Sequence, residues 1–359
     1  MKVVISQLIF LCCCSLIGCD NSKSGSNSKV VDPNYYPETI EGTWPQVTSP
    51  ESVGWSSEKL FEAYRYGQSI DTAAVIIIYR GRVLYHWGEI YRKFNTHSIR
   101  KSFMSAIYGV GVSQGEINIH DTLLDLGIDD SPDNLSTTEK AATIQMLMQS
   151  RSGIYIPAAC EVPNRNRPQR YSHPPGTFWY YNNWDFNVLK TILFQKTGRD
   201  FYVALRDLIA QPIGMEDYQI TDGSYEFASS TIHPCYQFNM SARDLARFGQ
   251  LFLQKGVWEG QQIIPSDWVE ESTQAYSNAF IQGGFGYMWW VAVDGKHFPG
   301  VVLPAGSYSA QGFRGHFLLV IPELDLVIVH RVNTFRDGQA VTLFEFGQLV
   351  ATILDAENN

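Results

Sequence analysis

The chain has 359 residues, 45% of them hydrophobic and 18% charged, with a formal net charge of −9. No basic stripe interrupts that acidic balance, which argues against a nucleic-acid partner. The eight histidines show neither H-x-x-x-H nor H-E-x-x-H spacing, so a metal site has no support.

The first residues read as a targeting segment. Lys2 is a minimal positive start, and the apolar run over 3–17 is too short for a comfortable membrane span. It ends in Leu16-Ile17-Gly18-Cys19, which resembles the bacterial lipobox. That resemblance implies cleavage after residue 18 and acylation of Cys19, and so a lipoprotein of the bacterial cell envelope facing the periplasm or exterior. An ordinary signal peptide with incidental cysteines is the plainer alternative. Cys12, Cys13 and Cys14 leave with the leader. Cys160 and Cys235 remain where disulfides are permitted, and pairing or separate buried thiols are both open. Residues 19–45 form a polar, Ser- and Asn-rich tether followed by an extended, proline-marked stretch. Roughly 315 residues follow, enough for one large domain or two interleaved lobes.

Residues 56–68 read as the first helix, with Ser56 as its N-cap. TAAVIIIYRGRVLYHWG, over 72–88, reads as a β-hairpin turning at Arg80-Gly81. A long apolar helix is expected over 98–114. Mostly helical runs follow to about residue 254: 143–150, 184–197, 201–209 and 241–254. Strand signals return over 285–293, 306–312, 316–321 and 326–332, and residues 339–354 form a closing amphipathic helix. The expected fold class is α+β: an antiparallel sheet built from both chain ends, flanked by terminal helices, with a mostly helical insertion. The expected catalytic domain covers 46–359, with an α/β lobe from about 46–97 and 270–359 and a helical lobe of about 98–269.

Ser98-Ile99-Arg100-Lys101 carries the chemistry. Serine and lysine three apart share one helical face, so the amine can take the hydroxyl's proton once burial or nearby charge lowers its pKa. Two other S-x-x-K matches exist. Ser26–Lys29 lies in the polar tract and Ser56–Lys59 opens the first helix; only Ser98 precedes MSAIYGVGV. The plainer reading makes Ser98 a cap and leaves Lys101 on the solvated side.

S-x-x-K is the nucleophile motif of penicillin-binding proteins and serine β-lactamases, and further segments resemble that superfamily in order. They are Thr143-Ile144-Gln145-Met146-Leu147 leading to Ser152-Gly153, Tyr181-Asn182-Asn183 after Pro174-Pro175-Gly176, Pro212-Ile213-Gly214-Met215, and Met240-Ser241-Ala242-Arg243-Asp244-Leu245. The chain thus resembles the class C β-lactamase-related serine hydrolases, a group that holds esterases, D-amino-acid peptidases and 6-aminohexanoate-dimer hydrolases. The resemblance implies an acyl-enzyme on Ser98, with Lys101 and Tyr181 as general base and acid. Asn183 orients Lys101 or a substrate amide, and no cofactor is required. Tyr276-Ser277-Asn278 matches the second motif literally but sits in a polar loop, and Tyr180 is the register alternative.

The third motif departs from the family. Ala310-Gln311-Gly312-Phe313 stands where relatives carry Lys-Thr-Gly. Gly312 suits close backbone approach, and an N–H near Phe313 can line an oxyanion hole. The missing lysine argues against β-lactam carboxylate recognition. Arg314, Arg151 and the cluster Arg165, Arg167 and Arg170 are the candidate replacements, or else solvated surface. Phe178, Trp179, Tyr180, Trp184, Trp289 and Trp290 are candidates for an apolar pocket wall, which points to small-molecule esters or amides. Two rivals stand. One is a Ser-His-Asp hydrolase using His97 or His316, although the literal G-x-S-x-G match, Gly111-Val112-Ser113-Gln114-Gly115, falls at the end of the expected 98–114 helix and not on a strand-to-helix turn. The other is a catalytically weak or inactive lipoprotein that binds cell-wall peptides or a protein partner.

Overall fold

The computed structural model describes residues 42, 44–161 and 166–357. The expected leader, Cys19, most of the 19–45 tether and Arg165 lie outside them; Trp44, at the tether's end, is instead buried, with Nε1 donating to Gly81 O at 2.9 Å. In chain order the helices are α1 (Ser57–Ser69), α2 (Arg100–Ser113), α3 (Ile144–Met148), α4 (Asn183–Thr197), α5 (Phe201–Leu205), α6 (Ala242–Leu253), α7 (Ser266–Ser272) and α8 (Leu343–Leu354). The strands are β1 (Thr72–Tyr79), β2 (Arg82–Gly88), β3 (Phe94–Asn95), β4 (Gly223–Ala228), β5 (Thr231–Met240), β6 (Val257–Trp258), β7 (Gln261–Gln262), β8 (Ser277–Asn278), β9 (Gly284–Phe285), β10 (Trp290–Val291), β11 (Tyr308–Gly312), β12 (His316–Ile321) and β13 (Leu326–Val332).

The main sheet is antiparallel and runs β2-β1-β13-β12-β11-β10-β9-β8. Its centre pairs the two chain ends, Ile77 against Ile328. The β1–β2 turn places Arg80 and Gly81 at φ 48° and 75°, the left-handed pair that a tight hairpin requires. The central strands are apolar at successive positions because both faces are covered. Ile76, Ile78, Leu318 and Val329 pack with α2, α4 and α6, whereas Val75, Ile77, Leu319 and Ile328 pack with α1 and α8. Ser56 caps α1 by accepting from Lys59 N–H, and Thr342 closes a capping box with Glu345 at α8.

Several expectations need correction. Residues 223–240 form a hairpin, β4–β5, which joins β3 in a second sheet. Pro234 within β5 masked that strand in the sequence. The run over 285–293 is two short strands, β9 and β10, with a turn between them. The helix over 98–114 starts at Arg100, and Ser98 sits in the 3-10 turn before it. No helix among the described residues is long and apolar enough to cross a membrane.

Candidate active site

The helix α2 is buried from Arg100 to Gly111, so its first turn lies inside the protein. Ser98 is half-buried, and no side-chain cap bond is made at the start of α2. Lys101 is only 2% exposed, which rules out the solvated reading. Its Nζ donates to Ser98 Oγ at 2.7 Å and lies 5.0 and 5.1 Å from the ring centres of Tyr181 and Phe186.

Tyr181 is held from both sides. Its ring stacks on Trp290 at 5.5 Å and meets Phe186 at 5.1 Å. Ser150 clasps the backbone around it. Ser150 Oγ donates to Tyr180 O at 2.6 Å and accepts from Asn182 N–H at 2.8 Å. Asn182 caps α4, and its Nδ2 donates to Ile154 O and to Asp185 Oδ1. Asp185 also accepts from Ser152 Oγ at 2.5 Å, and burial drives its carboxyl well above the usual range. Ser150 and Asp185 do not stand out in the sequence. The S-x-S-G run over 150–153, well upstream of the expected second motif, is the one available signal.

A cavity of about 470 Å³ brings together Ser98, Tyr181, Asn183, Gln311, Gly312 and Phe313, with His97, Arg100, Cys160, Trp179, Gln237, Gln282 and Trp290. Lys101 lies behind this wall. Strand β11 passes so close to the serine turn that a Cβ on Gly312 would meet Thr96 O at 2.8 Å. Gln311 is tied into a polar chain: Gln282 Nε2 donates to its Oε1 at 2.6 Å, and its Nε2 donates to Ser309 Oγ at 3.1 Å. His297 lies 2.7 Å from Ser309 Oγ, and burial lowers its pKa to about 4.

Of the six aromatic candidates, only Trp179 and Trp290 line this cavity. Trp184 and Trp289 are wholly buried core, Phe178 is exposed and stacked on His173, and Tyr180 packs on Tyr155. Tyr276 stacks on Tyr287 and donates to Glu271 O, away from the cavity lining. None of the described candidate arginines reaches the lining. Arg151 donates to Tyr276 O and Gly176 O, Arg167 pairs with Glu161, Arg170 pairs with Glu139, and Arg314 lies 5.8 Å from the Phe313 ring centre. Arg100, which no sequence signal marks as a candidate cation, does line it.

His97 faces the cavity, but its Nε2 meets Thr334 Oγ1 at 3.0 Å. Burial and then the guanidiniums of Arg331 and Arg100 lower its pKa to about 4. His316 accepts from Arg331 Nε at 2.9 Å. A carboxylate-backed histidine is therefore not assembled at Ser98. Cys160 and Cys235 form a disulfide with a Cα–Cα distance of 6.0 Å, which resolves the pairing left open by the sequence. No cluster of three or more metal-ligating side chains occurs among the described residues.

Comparison with known proteins agrees with this architecture. An uncharacterized protein of Alkalihalophilus pseudofirmus is 24% identical over 289 residues, covering 73% of this chain and 81% of that protein. The 6-aminohexanoate-dimer hydrolase of Paenarthrobacter ureafaciens is 22% identical over 270 residues, covering 65% of this chain and 64% of that enzyme. A solved β-lactamase structure from Mycobacterium bovis superposes with a TM-score of 0.61 at 18% identity, covering 83% of this chain and 100% of that one. The sequence profile of the Beta-lactamase family matches residues 58–351, from α1 to α8 and across both ends of the sheet, so the chain belongs to the Beta-lactamase family of hydrolases.

Proposed function

We propose that the protein is a serine hydrolase that cleaves small-molecule esters or amides through an acyl-enzyme on Ser98. The observation that carries this reading is the 2.7 Å contact between Ser98 Oγ and the buried Lys101 Nζ, at the wall of a cavity that also presents Tyr181. A desolvated lysine is suited to general-base work, and a hydroxyl within hydrogen-bond reach of a base is an activated nucleophile. Ser98 Oγ attacks the carbonyl and its proton passes to the Lys101–Tyr181 pair. The backbone N–H groups of Ser98 and Phe313 hold the oxyanion. The pair returns the proton to the leaving alcohol or amine as the C–O or C–N bond breaks. Water, deprotonated by the same pair, then releases the acid and restores Ser98.

Asn183 orients the substrate from the start of α4. Ala310-Gln311-Gly312, where relatives of the resembled class carry Lys-Thr-Gly, holds an alanine in place of the lysine, which favours esters and simple amides over β-lactams. We also propose that the protein is held at the bacterial membrane by lipid on Cys19. Metabolic labelling with a fatty-acid analogue that persists in a Cys19→Ala variant would defeat that part.

The test of the enzyme is intact-mass measurement after exposure to a p-nitrophenyl ester or a fluorophosphonate. The expected result is one acyl or phosphonyl adduct, mapped to Ser98 and absent in Ser98→Ala. A folded protein that forms no adduct and turns over no ester would be a binding lipoprotein instead.

A further inference from the structure

We propose that Arg100 forms an anion subsite inside the cavity and selects substrates that carry a free carboxylate. The inference deepens the hydrolase reading above and rests on it for the reacting group. A guanidinium has five N–H donors and cannot shed its charge at ordinary pH. Arg100 is only 2% exposed, yet among the described residues it has two acceptors: Nη1 donates to His97 O at 2.9 Å and Nη2 to the disulfide sulfur of Cys235 at 3.3 Å. Sulfur is a weak acceptor, and Arg100 Nε is buried with no partner. The Tyr236 ring, 5.1 Å from the guanidinium carbon, adds a cation–π contact.

No carboxylate among the described residues pairs with Arg100. Glu226, with Oε2 3.2 Å from Cys160 Sγ, makes no ion pair with it. Arg331, which has no exposed surface, is a guanidinium used to capacity. Arg331 donates to His316 Nδ1 and to the carbonyls of Met240, Phe94 and Asn95. Every nitrogen of Arg331 is used, and it does not line the cavity.

Arg100 does line the cavity, two residues from Ser98. Gln237 lines it too, with Oε1 buried and unpartnered. Cys235 and Gln237 are two apart on β5 and so present to one face of the strand, and Arg100 donates to the first of them. The disulfide and the His97 carbonyl fix the guanidinium in place before any ligand arrives. A buried cation with spare donors at a cavity wall is completed by an anion, and the planar fork matches a carboxylate. The charge that the third motif lacks is thus supplied from the opposite end of the nucleophile motif, by S-x-R-K itself.

The test uses two matched ester pairs and the mature full chain. In the acyl half, p-nitrophenyl hemiglutarate is compared with p-nitrophenyl valerate. In the leaving half, 3-carboxyphenyl butyrate is compared with 3-carbamoylphenyl butyrate. In at least one pair the charged-to-neutral ratio of kcat/KM should fall ~10- to 100-fold in Arg100→Gln, through KM of the charged member, as for a lost charge-assisted bond. Arg100→Lys should retain part of the preference. Ratios that are unchanged in both pairs would overturn the proposal.

Should wild type turn over none of the four esters, the hydrolase reading fails and binding decides the subsite. Glutarate, but not glutaramide, that raises the Tm of wild type and not of Arg100→Gln sustains it. Equal effects, or none, sink it. Should Arg100→Gln not fold, the same two ligands on wild type decide: a Tm raised by glutarate alone sustains the subsite, and equal or absent shifts sink it.

Discussion

Ser98 and Lys101 show what a single turn of backbone can specify. Placing Ser98 in a 3-10 turn ahead of α2 keeps its hydroxyl at the cavity, while Lys101, three residues on, is drawn into the interior. Both the amine and the phenol of Tyr181 are needed for proton transfer in the proposed mechanism. Lys101→Met and Tyr181→Phe should each lower kcat by about 10²- to 10⁴-fold with smaller changes in KM, measured on a p-nitrophenyl ester. Gly312 is a separate case. Its contact with Thr96 O leaves no room for a methyl group, so Gly312→Ala must push β11 from the serine turn. An oxyanion donor displaced in this way should cost about 100-fold in kcat at nearly unchanged Tm. An unchanged kcat would remove β11 from the oxyanion hole.

At the scale of elements, the described residues between α3 and α4 form no helix or strand, carry Tyr181 and must be anchored. Ser150 clasps its end, Asp185 ties Ser152 to the α4 cap, and the disulfide ties Cys160 to β5. The cross-link spans 75 residues of sequence, so its loss frees a large loop in the unfolded chain. Replacing both cysteines by serine should lower stability by roughly 4 kcal/mol on the chain-entropy account. Thermal unfolding of the double variant, beside wild type under oxidising and reducing conditions, checks this. A double variant as stable as oxidised wild type would show that β5 and the segment hold together without the bond.

Across the whole molecule, the sheet is a wall with two covered faces, and His330 within it and His97 and His297 in the segments beside it are withdrawn from water. His97, His297 and His330 are all held near pKa 4, chiefly by burial, against an ordinary value of 6.5. The unfolded chain therefore binds protons below about pH 6.5, whereas the folded chain does so only near 4. Their contribution to stability is full above pH 6.5 and is lost as pH falls toward 4. Burial pushes Asp244 up to about 6 and Asp185 well above the usual range, and these carboxyls act in the opposite direction. A single substitution isolates one side of that balance. His297→Gln should reduce the stability lost between pH 7.5 and pH 5 by about 2 kcal/mol relative to wild type, read from urea midpoints. Identical pH slopes would show that His297 titrates normally.

Sequence by itself determined the elements whose signals are local. The hairpin at Arg80-Gly81, the apolar strands of both chain ends, the α1 cap and the apolar helix behind S-x-x-K followed from residue type and period, because each needs only its neighbours in the chain. The same local logic failed at β5, where a proline stands inside a strand that pairs on both sides. Only the tertiary structure decided which aromatics face the cavity, since Trp184 and Trp289 differ from Trp179 and Trp290 in what packs over them, not in type. Cysteine pairing was equally beyond the sequence, because Cys160 and Cys235 meet through the β5 register. The arginines behave the same way. Arg151 and Arg170 looked available but are held away from the cavity lining by backbone carbonyls and Glu139, whereas Arg100, beside the nucleophile, lines it with its Nε unpartnered. A side chain's free hydrogen-bonding capacity is what remains after its neighbours have taken their share, and those neighbours come from all over the chain.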